Sequence, residues 1–338
     1  MRMSIRAYGF RISIVARADR IARTGRTADQ APEQAPDRNP EVVTRKPLTS
    51  RSDIWRRLRR NRLAVVGLGI ISVFLVVGLA ETVANIAGVN LAPYKPNAVN
   101  YVLSPSGHGS PPSWSHPFGT DYLGRDVFSR ALVATRVSLL IGVIAMAIAL
   151  SIGLILGPVS GYYGGIVDAA IMRLADIFFA FPYILFVLLL MVVLGPGLGN
   201  VIIAIGLFNW AVYARLVRGS VLSVKTMEYV EAARAQGAGD LRIIFRHVLP
   251  NTMAPVYVAT AMGVGGAIVT EAALSFLGIG IQPPDASWGR MISDYQPYFM
   301  AGRWWMLVFP SLLLVLTVFG FISLGNGLRD ATDPKLKE

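Results

Sequence analysis

The sequence predicts an all-α polytopic membrane protein, and three observations carry that expectation. Only 15% of its 338 residues are charged, against about 25% in an ordinary soluble domain. Residues 63–80, 137–167, 177–214, 247–270 and 304–328 contain no Asp, Glu, Lys or Arg, and several of these windows reach the ~20 apolar residues that a helix needs to cross a hydrocarbon core. The apolar runs are also continuous, without the alternation at ~10-residue spacing that marks the strands of a membrane barrel.

The amino end is a different material. Residues 1–62 hold 16 basic and 6 acidic side chains, so most of the net charge of +12 is concentrated there. Such a segment suits the anionic surface of a membrane, and no nucleic-acid partner is expected. Residues 1–50 have no continuous apolar core of the kind a cleavable signal peptide requires. Ala28–Pro47, rich in Pro, Gln and charge, is expected to be disordered, which makes residues 1–50 a basic cytoplasmic tail. Cysteine is absent, so thiol and disulfide chemistry are excluded.

The elements then follow in order. Trp55 and the basic run Arg56–Arg62 form an interfacial anchor before a first span over 63–80, the two together filling residues 51–88. A Pro-, Gly- and Ser-rich connection occupies 89–136. A core of five further spans fills 137–330: 137–157, 176–194, 201–217, 252–274 and 304–324, with a break at Gly195-Pro196-Gly197. Residues 331–338 are a short tail. Six spans put both termini on one side. With the amino end inside, and residues 1–50 excluded because distant charge counts little, inner segments hold 16 Lys and Arg and outer segments 6. Residues 219–250 therefore face the cytoplasm, and the 88–130 and 276–303 segments face outward.

The cytoplasmic insert is longer than a connection needs to be. Met227, Val230 and Ala233 fall three residues apart on one face of a short helix. Gly237 suits a left-handed helix end. Asp240 is expected to cap a second helix over 241–248, with Pro250 ending it where the next span begins. Glu231-Ala232-Ala233, Gly237 four residues on, and Leu249-Pro250 resemble the EAA loop of importer-type ABC transporter permeases. The family has an aliphatic residue where this chain has His247. The resemblance implies the importer-type permease fold, with Glu228, Glu231, Ala232, Ala233, Gly237, Asp240, Leu249 and Pro250 forming a coupling helix and its mount against an ATPase subunit.

Two outer segments extend the resemblance. His116–Arg130, with Gly119, Thr120, Asp121, Gly124, Arg125 and Asp126, looks like the outer-loop signature of the C-type subunit in dipeptide and oligopeptide (Dpp/Opp-type) permeases. By residue chemistry alone it reads as a loop with turn glycines and local Asp–Arg pairs, which carry little energetic weight if exposed. Glu271–Gly280 with Ser287-Trp288-Gly289 looks like the same subunit's fifth-span end and last outer loop. Glu271 is either turned to a cavity or partner, where with Ser275 it would belong to a translocation path or gate, or solvated at the outer interface. Arg173, between Asp168 and Asp176, reads as local charge neutralisation.

The chemistry that is missing narrows the mechanism. His108, His116 and His247 are scattered and make no metal site. Of the five lysines only Lys225 precedes a Ser or Thr, and no glycine-rich loop leads into it, so no phosphate-binding loop exists. The spans carry no chain of acids or histidines for a proton relay. The resemblance therefore implies a non-catalytic subunit of the cytoplasmic (inner) membrane of a bacterium or archaeon. It implies a homologous B-type permease partner, two ATPase subunits that bind the ATP and Mg, and an extracytoplasmic substrate-binding protein delivering di- or oligopeptides. Nickel, glutathione and oligosaccharide are alternative cargoes within the family. A secondary transporter or a membrane enzyme are rivals outside it, and the sequence holds neither paired broken helices with midplane charges nor a convergent catalytic set.

Overall fold

A computed structural model of the chain describes residues 51–104 and 107–332. The expected tail over 1–50 and the last six residues lie outside the described residues. Every regular element described is helical; a single antiparallel bridge, Thr120 to Asp126, is the only strand-like pairing among them. Helix α1 (Arg51–Arg60) leads through Asn61 into α2 (Arg62–Ile86), whose first turn is capped by the Asn61 side chain accepting from the Ala64 amide. There follow α3 (Val127–Tyr163), α4 (Gly165–Phe179), α5 (Tyr183–Leu194) and α6 (Leu198–Val224). Then come α7 (Glu228–Ala235), α8 (Asp240–Arg242), a π-helical turn (Ile243–Val248), a 3-10 turn (Leu249–Thr252), and α9 (Met253–Phe276), α10 (Trp288–Phe299) and α11 (Trp304–Thr332).

Five helical segments are long and apolar enough to cross a membrane: α2, α3, α6, Asp240–Phe276 and α11. The third expected span, over 176–194, departs from expectation. The uncharged run through residues 177–194 is not one helix: α4 and α5 meet at 87°. Pro182 is the cause. It has no amide hydrogen to continue the helix and disfavours the α conformation at Phe181 before it, so it sits extended at the head of α5 (φ −57°, ψ 127°). Twelve residues of α5 rise only ~18 Å, well short of the ~30 Å hydrocarbon core. Hydropathy saw one apolar run because the break contains no polar residue.

The second span differs in the other direction. Helix α3 begins at Val127, ten residues before the apolar window, because Asp126 caps it there by accepting from the Ser129 amide at 2.7 Å. Its 37 residues rise ~55 Å, so it stands clear of the hydrocarbon by about 25 Å. It is the mast to which both ends of the bundle attach.

Helix α6 lies along α3 at close range. The contact is a stripe of small residues at every fourth position of α3, namely Ala145, Ala149, Gly153, Gly157 and Gly161, all buried. A Cβ on Gly153 would stand 2.4 Å from the Tyr213 Cβ, one on Gly157 2.8 Å from the Ala214 carbonyl oxygen and the Val217 Cβ, and one on Gly161 2.9 Å from the Val221 Cβ. Between helices in lipid there is no hydrophobic drive to associate, so close backbone approach through small residues supplies the packing. The same device joins α2 to α11, where Gly67 meets the Gly320 carbonyl and Gly327 meets Ala64.

Gly157→Leu should overpack this seam by about 1–3 kcal/mol, seen as a lower melting temperature of the detergent-solubilised protein. Gly69→Leu, where an added Cβ meets nothing within 4 Å, should leave that temperature unchanged.

Candidate functional site

The polar insert between α6 and α9 forms a short helix carried on a seat of neighbouring side chains. In α7, Val230 and Ala233 are buried against the bundle, while Glu228, Glu231 and Ala232 face outward. Gly237 has φ +80°. The turn closes as the Gly237 amide donates to the Arg234 carbonyl and the Ala238 amide to the Ala233 carbonyl, which satisfies the carbonyls at the end of α7. Three apolar side chains remain exposed on this surface: Tyr229, Leu241 and Phe245.

Two expectations for the insert are corrected. Asp240 does not cap the second helix, whose cap is Gly239; Asp240 is its first helical residue, and its carboxylate accepts from the Tyr162 hydroxyl at 2.8 Å. Nor does Pro250 end the helix. The chain runs on helically to Phe276, because the backbone widens to a π turn over 243–248, then tightens to a 3-10 turn with Pro250 in its first positions. That change of hydrogen-bond register absorbs the amide a proline lacks. Leu249 is half-buried and Pro250 exposed in that turn, and His247 is half-buried.

The seat itself comes from residues the motif does not contain. Arg234 donates to the Tyr162 hydroxyl at 3.4 Å and lies over its ring. The Lys225 ammonium donates to the Gly161 carbonyl at 2.8 Å and reaches that of Tyr162, closing the carboxyl end of α3. Tyr162 thus ties both halves of the insert to the mast. A tyrosine beside turn glycines is no signal in one dimension; only the fold brings it to Asp240.

Charge neutralisation near α4 is also arranged differently from expectation. Arg173 is not the partner. Asp168 takes a two-pronged bond from Arg218 of α6 and a bond from Ser160, and Asp176 pairs with Arg215 of α6 at 2.6 Å. These pairs tie α4 to α6, not α4 to itself.

At the opposite end of α3, the 116–126 segment is not an exposed loop. Asp121 is fully buried. One carboxylate oxygen accepts from the Leu123 and Arg125 amides, both at 2.9 Å; the other accepts from Arg125 Nε at 2.7 Å and the Tyr295 hydroxyl at 3.1 Å. Burial works against the Arg125 charge, but the facing Asp121 outweighs it and the guanidinium is held more firmly protonated than usual. Burial likewise pushes the Tyr295 phenol well above its ordinary range. Beyond capping α3, Asp126 meets His116 Nδ1 at 2.9 Å. The Thr120 carbonyl accepts from the Trp305 indole. Gly124, at φ +73°, leaves so little room that a Cβ would stand 1.8 Å from the Asn100 carbonyl oxygen, and Gly119, at φ +70°, is closed in by Ser110 and Trp305. The segment is a buried polar latch holding the connection between α2 and α3 to α10 and α11.

Glu271 is fully buried too, which sets aside the solvated alternative. It accepts from Ser275 at 2.7 Å, Ser287 at 2.6 Å and, at the long limit of 3.5 Å, Ser138. Each serine oxygen in turn accepts a backbone amide: Ile281 on Ser275, Arg290 on Ser287, Trp288 on Ser138. Glu271 therefore gathers α9, α3 and the capped start of α10. Neither Glu271 nor Ser275 has surface with which to line a path in this chain. Among the described residues, no group of three or more His, Asp or Glu could hold a metal ion.

Known proteins align with this architecture along most of its length. Residues 149–338 match the family model described as binding-protein-dependent transport system inner membrane component, and 49–107 match the N-terminal TM domain of oligopeptide transport permease C. The chain is 44% identical over 304 residues to the dipeptide transport system permease protein DppC of Bacillus subtilis, covering 90% of this chain and 92% of that one. It is 42% identical over 298 residues to the oligopeptide transport system permease protein OppC of the same organism, covering 88% and 94%. It is 40% identical over 286 residues to the glutathione transport system permease protein GsiD of Pectobacterium atrosepticum, covering 84% and 91%. Among solved structures, inward-facing conformations of the MetNI methionine ABC transporter give a TM-score of 0.47 at 19% identity, covering 60% of this chain and 97% of that chain.

Asp121→Ala should strand Arg125 in the latch and cost about 3–5 kcal/mol, measured as lost thermal stability and as new protease cleavage within residues 110–126. Glu271→Ala should orphan buried serine hydroxyls at about 1–3 kcal/mol each, read as a lower melting temperature.

Proposed function

Because the chain belongs to the family of binding-protein-dependent transport system inner membrane components, we propose that it is the C-type permease subunit of an ATP-driven importer of di- or oligopeptides. It forms the translocation path with a homologous B-type chain. Two ATPase subunits hold the ATP and Mg and carry out hydrolysis; this chain is not an enzyme. An extracytoplasmic binding protein delivers the cargo to the outer connections, and both termini of this multi-pass chain lie in the cytoplasm. The peptide class follows the names of the most similar relatives, and the binding protein chooses the particular cargo; glutathione, itself a tripeptide, lies within the same class.

The observation that carries this reading is the exposed α7 on its seat. A helix of eight residues is too short to hold itself in water, so its order comes from Val230, Ala233 and the Tyr162 tie. Such a helix moves as one body with α3 and α6. Its acidic Glu228 and Glu231 and the uncovered Tyr229, Leu241 and Phe245 form a mixed surface of the sort that docks a protein partner. Closure of the ATPase pair on ATP pushes the seat, and the seat tilts α3 and α6 between inward-open and outward-open states, a two-state element biased by ligand. In this reading Glu271 and Ser275 hold α10 in register instead of lining the path.

Deletion of 231–237 should abolish ATP-driven peptide uptake in proteoliposomes while leaving membrane insertion intact. Tyr162→Phe, which keeps the ring and removes the shared hydroxyl, should preserve assembly with the ATPase subunits but lower uptake per ATP hydrolysed. Unchanged coupling in both variants would sink the proposal. Gly237→Val, forced to positive φ at about 1–2 kcal/mol, should act in the same direction.

A further inference from the structure

Most buried polar groups here are satisfied, and one cavity departs from that pattern. It lies at the end of the bundle opposite α7, between the last turns of α2, the first turns of α3, the 89–97 connection and residues 284–286, and has a volume of about 230 Å³. Glu81 lines it while only 4% exposed, and its Oε1 has no hydrogen-bond partner. Arg136 also lines it, and its Nε is likewise buried and without a partner. The two charges act on one another but form no salt bridge. A buried carboxylate oxygen left without a partner is costly, and both groups become satisfied if something enters between them.

The lining defines what that would be. The buried Glu81 gives the cavity an acidic side and Arg136 a basic one, with the exposed Asp285 at its rim. The side-chain amides of Asn85 and Asn90 add acceptors. No aromatic side chain lines it, so it lacks the rings that suit a quaternary ammonium. A primary ammonium, with three N–H donors, fits the acidic side, and a phosphate or carboxylate fits Arg136. The volume falls below the ~300 Å³ at the small end of sites that enclose a whole ligand, and suits a headgroup whose remainder lies outside. Val89, which lines the cavity, is 62% exposed and gives its rim an apolar edge open to acyl chains.

We propose that the cavity between Glu81 and Arg136 binds a zwitterion carrying a primary ammonium and an adjacent anion, supplied by the headgroup of an ethanolamine phospholipid. The ammonium sits on Glu81 and the phosphate on Arg136. A bound lipid would thereby brace α2 against α3 and the 284–286 segment.

Native mass spectrometry of the full-length protein, purified from membranes in its native assembly, tests this. The protein is titrated with dioleoyl phosphatidylethanolamine, dioleoyl phosphatidylcholine or dioleoyl phosphatidylglycerol. Ethanolamine lipid should be retained about ten-fold more than choline lipid, and Glu81→Gln should remove that preference. In a second arm O-phosphoethanolamine and glycylglycine are added. Displacement of the lipid by O-phosphoethanolamine supports the headgroup source, whereas binding of either solute without any lipid preference supports the same chemistry supplied from solution. Equal retention of ethanolamine and choline lipids together with no bound solute overturns the proposal and leaves a water-filled cavity. That comparison uses the unsubstituted protein, so it stands even if Glu81→Gln folds poorly. A wild-type preference that survives Glu81→Gln also overturns it.

Discussion

The close approach of α3 and α6 is the contact on which the rest of the structure depends. Backbone polar groups inside a bilayer have to be satisfied within the chain, which leaves helices as the spanning element. What remains open is how two apolar helices recognise one another when lipid is as apolar as either. Here the answer is geometric: alanine and glycine at every fourth position of α3 let α6 lie against its backbone. Because α3 is longer than the bilayer is thick, that one seam sets positions at both surfaces. Its amino end carries Asp126 and the polar latch, its carboxyl end carries Tyr162 and the seat of α7, and α6 leads directly into the insert.

Around this seam, polar side chains specify what apolar packing cannot. Asp121, Glu271 and Asp168 are each met by three or more donor bonds from separate parts of the chain. Networks of this kind are expensive if incomplete and restrictive when complete. They fix the connection between α2 and α3 on α10 and α11, α10 on α9 and α3, and α4 on α6. At the cavity between Glu81 and Arg136, by contrast, a carboxylate oxygen and a guanidinium nitrogen have no partner within the chain.

The candidate site was legible to different depths. The helical insert, the turn at Gly237 and the inward set of Val230 and Ala233 follow from spacing, since one helical period decides which face is apolar. Asp121 and Asp126 could be recognised by pattern but were misjudged physically. A segment rich in Gly, Pro and Ser reads as exposed, and only the approach of Tyr295 and Trp305, some 175 to 185 residues away, buries it. Tyr162 could not be found in the sequence at all, because its partner Asp240 lies 78 residues on. Arg173 was the nearest cation in sequence to Asp168 and Asp176, whereas Arg218 and Arg215 are nearest in space.

The sequence alone determined which stretches are apolar enough to enter lipid and which connections carry charge. That information is local, since transfer of a side chain into hydrocarbon depends on little beyond its own chemistry. Tertiary structure alone decided how the apolar stretches bend and pair. The 87° break at Pro182, the helical passage through Pro250, the small-residue seam and the ownership of every buried carboxylate depend on neighbours distant in the chain. Packing and hydrogen bonding are relations between two surfaces, and a linear string presents them one at a time.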